Sequence, residues 1–282
     1  FNPRPSAAPA MNASAGTDAP AAADAAVPSQ VYSLTNSDLC LVGTSEISLA
    51  ALHANSIMSP ADLPATYCAV SHCFRREAGS RGQRDRGLYR LHQFSKVELF
   101  AYAQPDIAPP AAEREPVVHI PLMTYRADME VPEHARTGVL PSLGSEVMFQ
   151  RLVNFQASLY AELGLHYRVL DMPTEELGAS AYRKVDIEAW MPGRGSAGDY
   201  GEISSASNCI DYQARRLNIR FKAGQNDNRF VHTLNATACA VPRLMLSILE
   251  THQRADGSVV IPPALVPYMH GITVLHPPAA RR

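Results

Sequence analysis

Residues 73–79, CFRREAG, end an apolar run with Arg75, Arg76 and Glu77. A second segment, RGLYRLHQFSKVELF at 86–100, brings Arg90, Phe94, Lys96 and Glu98. A third, YGEISSASNCIDYQARRLNIRF at 200–221, supplies Glu202, Ser204, Ser205 and Asn208. A fourth, TLNATACAVPR at 233–243, reaches Arg243 where a helix should open. Guanidinium forks bind phosphate oxygens through paired hydrogen bonds, and a carboxylate beside hydroxyls holds Mg²⁺ through oxygen. An aromatic ring near an arginine clamps a purine face. Together these residue types describe an ATP site laid on a sheet floor. Each alone has a plainer reading, since an exposed Arg–Glu pair on a strand is usually a salt bridge worth little.

Such groups need strands to hold them. Tyr67, Ala69, Ser71 and Cys73 alternate with Cys68, Val70, His72 and Phe74, which suits a strand, and Leu88–Phe100 alternates as well. Gly79, Gly82 and Gly87 supply the turn, so the pair reads as a long antiparallel hairpin with Arg75, Glu77, Arg90 and Glu98 on its strands. Val31–Val42 and Glu46–Leu52 frame the first element. Val147, Met148, Leu152, Leu159, Tyr160 and Leu163 recur at helical spacing and stop at Gly164. Strands are expected at Tyr167–Met172, Val185–Met191, Glu202–Ser205, Leu217–Phe221 and Phe230–Leu234, and a closing helix from Leu244 to Gln253. Hairpins without regular βαβ units indicate an α+β domain, an antiparallel sheet flanked by helices.

Two stretches stand apart. Residues 5–30 are Ala/Pro/Ser-rich and nearly free of large apolar side chains, so they are expected to be a disordered insert. Residues 104–145 carry seven prolines, and a surface excursion outside the sheet is expected there, with one short strand near Val117–Leu122.

Of 282 residues, 46% are hydrophobic, enough for a sizeable core, and 25 Lys and Arg against 27 Asp and Glu give no global basic signal. Any nucleic-acid contact must therefore come from local patches. Five scattered Cys without a C-x-x-C read as buried, reduced thiols. Cys68, His72 and Cys73 are of zinc-ligand type, but adjacent strand residues face opposite ways. No apolar run is long enough to span a membrane. No glycine fingerprint opens a helix after a strand, and no G-x-S-x-G, H-E-x-x-H or EF-hand pattern occurs, which excludes the commonest nucleotide, hydrolase and metal sites.

The stretch 73–100 resembles motif 2 of class II aminoacyl-tRNA synthetases, in the form typical of seryl-tRNA synthetases. CLVGTSEISLAALH at 40–53 is similar to that family's Thr-Ala-Glu segment. DIEAWMPG at 186–193 with 200–221, and 230–269 with the motif 3 region, extend the match in order. FNPRP and the later QVYSLTNSDLCLVGTSE look most like the organellar enzymes of plants and algae, plastid or mitochondrial. The resemblance implies a serine–tRNA ligase that forms seryl-adenylate from serine and ATP with Mg²⁺, then loads serine tRNA. It also implies a homodimer in the full-length protein. The chain would be a catalytic-domain fragment, 1–282, without the N-terminal tRNA-binding arm and motif 1.

By that resemblance, Arg75 touches the α-phosphate and the serine carboxylate, Glu77 meets the adenine amino edge, and Phe94 stacks on adenine with Arg243 over its other face. Arg90 reaches the distal phosphates, and Arg76, Leu91, Ile203 and Ser204 complete the ATP stretches. Glu202 and Ser205 match Mg²⁺ ligands. Glu98 and Thr237 take the serine hydroxyl, with Thr44, Ser45, Glu46 and Asn235 around the amino group. Arg75, Glu98 and Arg243 would carry the catalysis. Two departures stand out: Thr44-Ser45-Glu46 replaces Thr-Ala-Glu, and Asn235-Ala236-Thr237 replaces Asn-Gly-Ser/Thr, whose added Cβ would crowd a turn at positive φ. Two rival readings share the fold, a ligase loading a carrier protein and a non-catalytic paralogue. Retention of Arg75, Glu77, Glu98, Glu202 and Arg243 argues against the second.

Overall fold

The computed structural model describes residues 30–77, 87–105, 124–125 and 144–278. The first half contains α1 (Ser45–Ala51), β1 (Ile57–Met58), β2 (Ala65–Phe74), β3 (Gln93–Ala103) and β4 (Thr124–Tyr125). Next come α2 (Gly144–Glu162), β5 (Tyr167–Asp171), β6 (Arg183–Met191), β7 (Asp199–Asn208) and α3 (Tyr212–Leu217). The remainder contains β8 (Arg220–Lys222), β9 (Asn228–Phe230), β10 (His232–Ala240), α4 (Val241–His252), β11 (Val259–Val260) and β12 (Val274–Leu275).

Seven strands pair in the order β2-β3-β10-β7-β6-β5-β4, and every described pairing in this sheet is antiparallel. The expected α+β sheet flanked by helices is therefore what the chain builds. α2 buries Phe149, Leu152, Val153, Gln156, Ala157 and Tyr160, a stripe at three- and four-residue spacing. That stripe and α4 cover one face of the sheet, packed on Ala101, Ile187, Ile203 and Leu234. α1 and α3 cover part of the other face, where Phe100 and Tyr102 are enclosed with Met58, Ala50, Ala214 and Phe221. Burying one such aromatic contributes about 1.5–3 kcal/mol.

The sequence reading needs correction in several places. β2 ends at Phe74, so Arg75 and Glu77 lie beyond the strand, and Arg90 lies in the turn before β3. The hairpin ladder still reaches one step further, because Arg75 N donates to His92 O. Residues 104–145 do not stay wholly outside the sheet: Thr124 and Tyr125 pair with Arg168 and Tyr167 as an edge strand, and α2 opens at Gly144. An edge position tolerates nearby prolines because one side of the strand needs no ladder partner. The strand expected at 117–122, the turn glycines Gly79 and Gly82, and the insert up to residue 29 lie outside the described residues.

Leu217–Phe221, read as a strand, contains the end of α3, a left-handed Asn218 and the start of β8. Six helical residues are too few for a period to show, and Asn is one of the few residues that closes a helix at positive φ. The strand expected at Phe230–Leu234 runs instead over His232–Ala240, because Asn235 and Thr237 break the apolar alternation on one face.

Gly198 closes the β6–β7 hairpin at φ +82, and an added Cβ would stand 2.5 Å from Trp190 Cζ2. A left-handed residue with a Cβ costs about 1–2 kcal/mol before any clash. Gly198→Ala should therefore lower Tm by roughly 3–8 °C in a thermal melt. A Tm within 1 °C of wild type would show that the hairpin relaxes freely.

Candidate active site

Phe94, Lys96 and Glu98 alternate along β3 and share one face, the face that continues into Phe100 and Tyr102. Thr237 on β10 stands directly opposite Glu98 and donates from Oγ1 to Glu98 Oε2 at 3.3 Å. Lys96 Nζ meets the same Oε2 at 2.6 Å, with Lys96 only 6% and Glu98 1% exposed. Burial pushes the Glu98 carboxyl up to about 6, against the lowering pull of Lys96. Thr44 caps α1 by accepting from Glu46 N, which turns Glu46 inward. Its Oε1 accepts from Asn235 Nδ2 at 3.0 Å and Gln213 Nε2 at 2.8 Å.

Glu202 and Ser205 are three residues apart, so a regular strand would point them to opposite faces. The register slips here: Ile187 pairs with Ser204 and Glu188 with Glu202, leaving Ile203 as an extra residue. The bulge resets the alternation. Ile203 is buried in the core beneath the sheet, and Ser204 Oγ, on the same side, meets Gln156 Nε2 at 2.7 Å. Glu202 and Ser205 are thereby both left facing the cleft. Asp186 pairs across from Ser205, and Lys184 Nζ holds it at 2.8 Å. Burial, then the nearby Glu202, raises the Asp186 carboxyl to about 6. Gln156 Nε2 also reaches Ser205 O at 3.0 Å and Thr237 O at 2.8 Å, tying β7 to β10 from below.

The phosphate-type groups stand at the cleft's other wall. Arg75 Nε donates to Gly43 O at 3.2 Å, and its guanidinium lies 5.3 Å from the Phe94 ring centre. Arg90 pairs with Glu77 at 2.5 Å. Arg243, in the first turn of α4, donates to Glu202 O and Tyr89 O and sits 4.4 Å over the Tyr89 ring. In this structure the ring that Arg243 covers is thus Tyr89, while Phe94 has Arg75 beside it.

Of the residues singled out in sequence, Thr44, Glu46, Arg75, Glu77, Arg90, Leu91, Phe94, Glu98, Glu202, Ile203, Ser204, Ser205, Asn235, Thr237 and Arg243 line this one cleft. Ser45, Arg76 and Asn208 do not. Ser45 is buried inside the start of α1, because a helix turns successive side chains away from each other. Arg76 points off the hairpin and lies 5.9 Å from the Tyr32 ring, since neighbours in extended chain face opposite ways. Ser204 borders the cleft, but its hydroxyl is spent beneath the sheet. Ala236 sits fully buried inside β10 with no positive φ, so the strain expected of a Cβ in a left-handed turn does not arise.

Sequence reasoning missed Tyr89, Ser207, Gln213 and Gln156, and gave Lys96 no role. Lys96 carried a signal, its two-residue spacing between Phe94 and Glu98. Tyr89 OH donates to Glu202 O at 2.8 Å, and Gly201 leaves room for that ring, because a Cβ there would meet Tyr89 Cε2 at 3.0 Å. For cations the donor set is hard: Glu202 and Ser205 offer oxygen on one face, which suits Mg²⁺. Among the described residues no group of three or more His, Cys, Asp or Glu is arranged for a metal, so a cation held by Glu202 and Ser205 would need further oxygens from outside the protein. No described helix is long and apolar enough to cross a membrane.

The model of the tRNA synthetase class II core domain (G, H, P, S and T) matches residues 31–113 and 142–252. The chain belongs to this family. The class II core skips 114–141, the middle of the proline-rich stretch. A serine–tRNA ligase from Treponema denticola is 45% identical over 240 residues, which are 85% of this chain and 48% of that protein. The mitochondrial serine–tRNA ligase of Bos taurus is 42% identical over 247 residues, 86% of this chain and 40% of that protein. The crystal structure of seryl-tRNA synthetase from Pyrococcus horikoshii complexed with ATP superposes with a TM-score of 0.71 at 39% identity, covering 88% of this chain and 46% of that one. The chain thus spans about half the length of the curated relatives it matches.

Proposed function

We propose that this class II core is the catalytic part of a serine–tRNA ligase, converting serine and ATP to seryl-adenylate and passing the seryl group to serine tRNA. The observation that carries the reading is the Thr237–Glu98 pair on the cleft floor, a hydroxyl and a carboxylate placed where a small polar side chain and an ammonium would meet. The relatives named as serine–tRNA ligases, and the ATP complex of the Pyrococcus horikoshii enzyme, support it.

In the first step a serine carboxylate oxygen attacks the α-phosphorus, the bond to the bridging oxygen breaks, and pyrophosphate leaves. Arg75 holds the carboxylate and the α-phosphate in line, its guanidinium already fixed by Gly43 O, so little reorganisation is needed. Glu202 and Ser205 would hold Mg²⁺, which supplies charge neutralisation on the phosphates when bound. Phe94 offers its face to adenine, with Glu77 at the adenine edge. Arg90 turns from Glu77 to the distal phosphates, and Arg243 stands over the nucleotide beside Glu202. Backbone groups of Leu91 and Ile203 border the same nucleotide. Thr44, Glu46 and Asn235 surround the amino group. In the second step a terminal tRNA hydroxyl attacks the seryl carbonyl and AMP leaves.

The full-length protein is proposed to be a homodimer. Support comes from the outer strand β2, whose face carries an exposed Cys68 and Val70, the latter 75% exposed. An organellar location, plastid or mitochondrion, is supported by the mitochondrial relative. The test is ATP–pyrophosphate exchange by the full-length protein. Exchange should depend on serine and discriminate against alanine by about 10⁴ or more, because the site's buried polar groups are left unpaired by the analogue. Equal rates with the two amino acids would overturn the serine assignment.

A further inference from the structure

Four charged side chains surround the amino-acid end of the cleft: Glu46 and Glu98, which are acidic, and Arg75 and Lys96, which are basic. Their formal sum is zero, and a free amino acid is a zwitterion of the same kind. Lys96 and Glu98 are both enclosed, and an uncompensated charge at such depth costs far more than a paired one. Lys96 Nζ and Thr237 Oγ1 both meet Oε2 of Glu98, which leaves Oε1 for a ligand.

We propose that Lys96 is a positioning residue for the amino-acid substrate. It locks Glu98 by one oxygen, keeps that carboxylate ionised at neutral pH, and so presents the second oxygen to the substrate ammonium. This rests on the function proposed above and adds a specificity element to it. The groups acting on Glu98 come from each neighbouring element: Lys96 on its own strand lowers its pKa, Glu46 on α1 raises it, and β10 contributes the uncharged Thr237. β2 places Ala69 opposite and Arg75 at its end, within the same cleft. With Lys96 gone, burial and Glu46 act on the carboxyl without a counter-ion, and Glu98 takes up a proton at higher pH.

The experiment compares wild type, Lys96→Met and Lys96→Arg in the full-length protein. The first measurement is kcat/KM for serine in ATP–pyrophosphate exchange between pH 5.5 and 9. Wild type should lose activity as pH falls through about 6, where burial places the Glu98 carboxyl. In Lys96→Met this limb should move upward by about one pH unit, costing about threefold near pH 6.5 and approaching tenfold near pH 5.5, and recovering in part at high pH. Lys96→Arg should keep the limb in place, because its guanidinium still pairs with the carboxylate. A loss of equal size at every pH would reduce Lys96 to a packing residue and overturn the proposal.

The second measurement needs no substrate. A carboxyl with a raised folded pKa contributes stability that is full below its unfolded pKa and is lost as pH rises through the folded value. The Tm gap between Lys96→Met and wild type should therefore widen from pH 5 to pH 8. A constant gap overturns the pairing itself. A widening gap in a protein that shows no serine-dependent exchange would retain the pair and overturn the functional reading alone.

Discussion

Glu98→Gln in the full-length protein is expected to lower serine-dependent ATP–pyrophosphate exchange by roughly 10- to 150-fold, while ATP binding stays near wild type. The range follows from a hydrogen bond between charged partners, worth about 1.5–3 kcal/mol. The carboxylate accepts from the ammonium and the hydroxyl together, whereas an amide has one acceptor and turns a donor toward the ammonium. Gln also leaves Lys96 buried without its counter-ion, which adds to the loss. The ATP end, around Phe94, Glu202 and Arg243, is untouched. Thr237→Val keeps the shape but removes the hydroxyl that faces Glu98, so it should narrow the preference for serine over alanine. The measurement is exchange rate against serine and alanine at matched ATP, with ATP binding followed separately. A serine-to-alanine ratio unchanged in both variants would mean that these residues do not read the hydroxyl.

The second large effect lies beneath the site. Gln156→Leu should lower Tm by roughly 6–12 °C, which corresponds to about 3 kcal/mol in a domain of this size. Gln156 is fully buried on α2, and its Nε2 lies 2.7–3.0 Å from Ser204 Oγ, Ser205 O and Thr237 O. Each buried acceptor left unpaired costs about 1–3 kcal/mol. Ser204 Oγ still donates to Thr237 O at 2.5 Å, so the loss falls mostly on Ser205 O and on Ser204 itself. Both carbonyls belong to residues whose side chains line the cleft, so serine KM should rise alongside the fall in Tm. A melting temperature within 2 °C of wild type would mean that water or a shift of α2 takes over the bonds.

Part of the molecule was legible in the chain alone. The β2–β3 hairpin follows from two alternating runs, and the shared face of Phe94, Lys96 and Glu98 follows from their spacing, because a strand's period of two is a local property. α2 and α4 follow from apolar spacing in the same way. Most of the candidate site residues came from the order and content of motifs at 40–53, 73–100, 186–221 and 230–269, and the cleft gathers all but Ser45, Arg76 and Asn208 of them.

What the local pattern did not contain is pairing at a distance. Glu98 and Thr237 meet across 139 positions because β10 inserts between β3 and β7, a placement no local period encodes. The same holds for Gln156, an amide on a helix that becomes a tie only when α2 crosses the β7–β10 seam. The bulge at Ile203 is the sharpest case. Spacing alone sends Glu202 and Ser205 to opposite faces, and the slip against Ile187 and Glu188 brings both to the cleft. Register is set by what each face packs against across the whole sheet, so only the tertiary structure decides which side chains share a site.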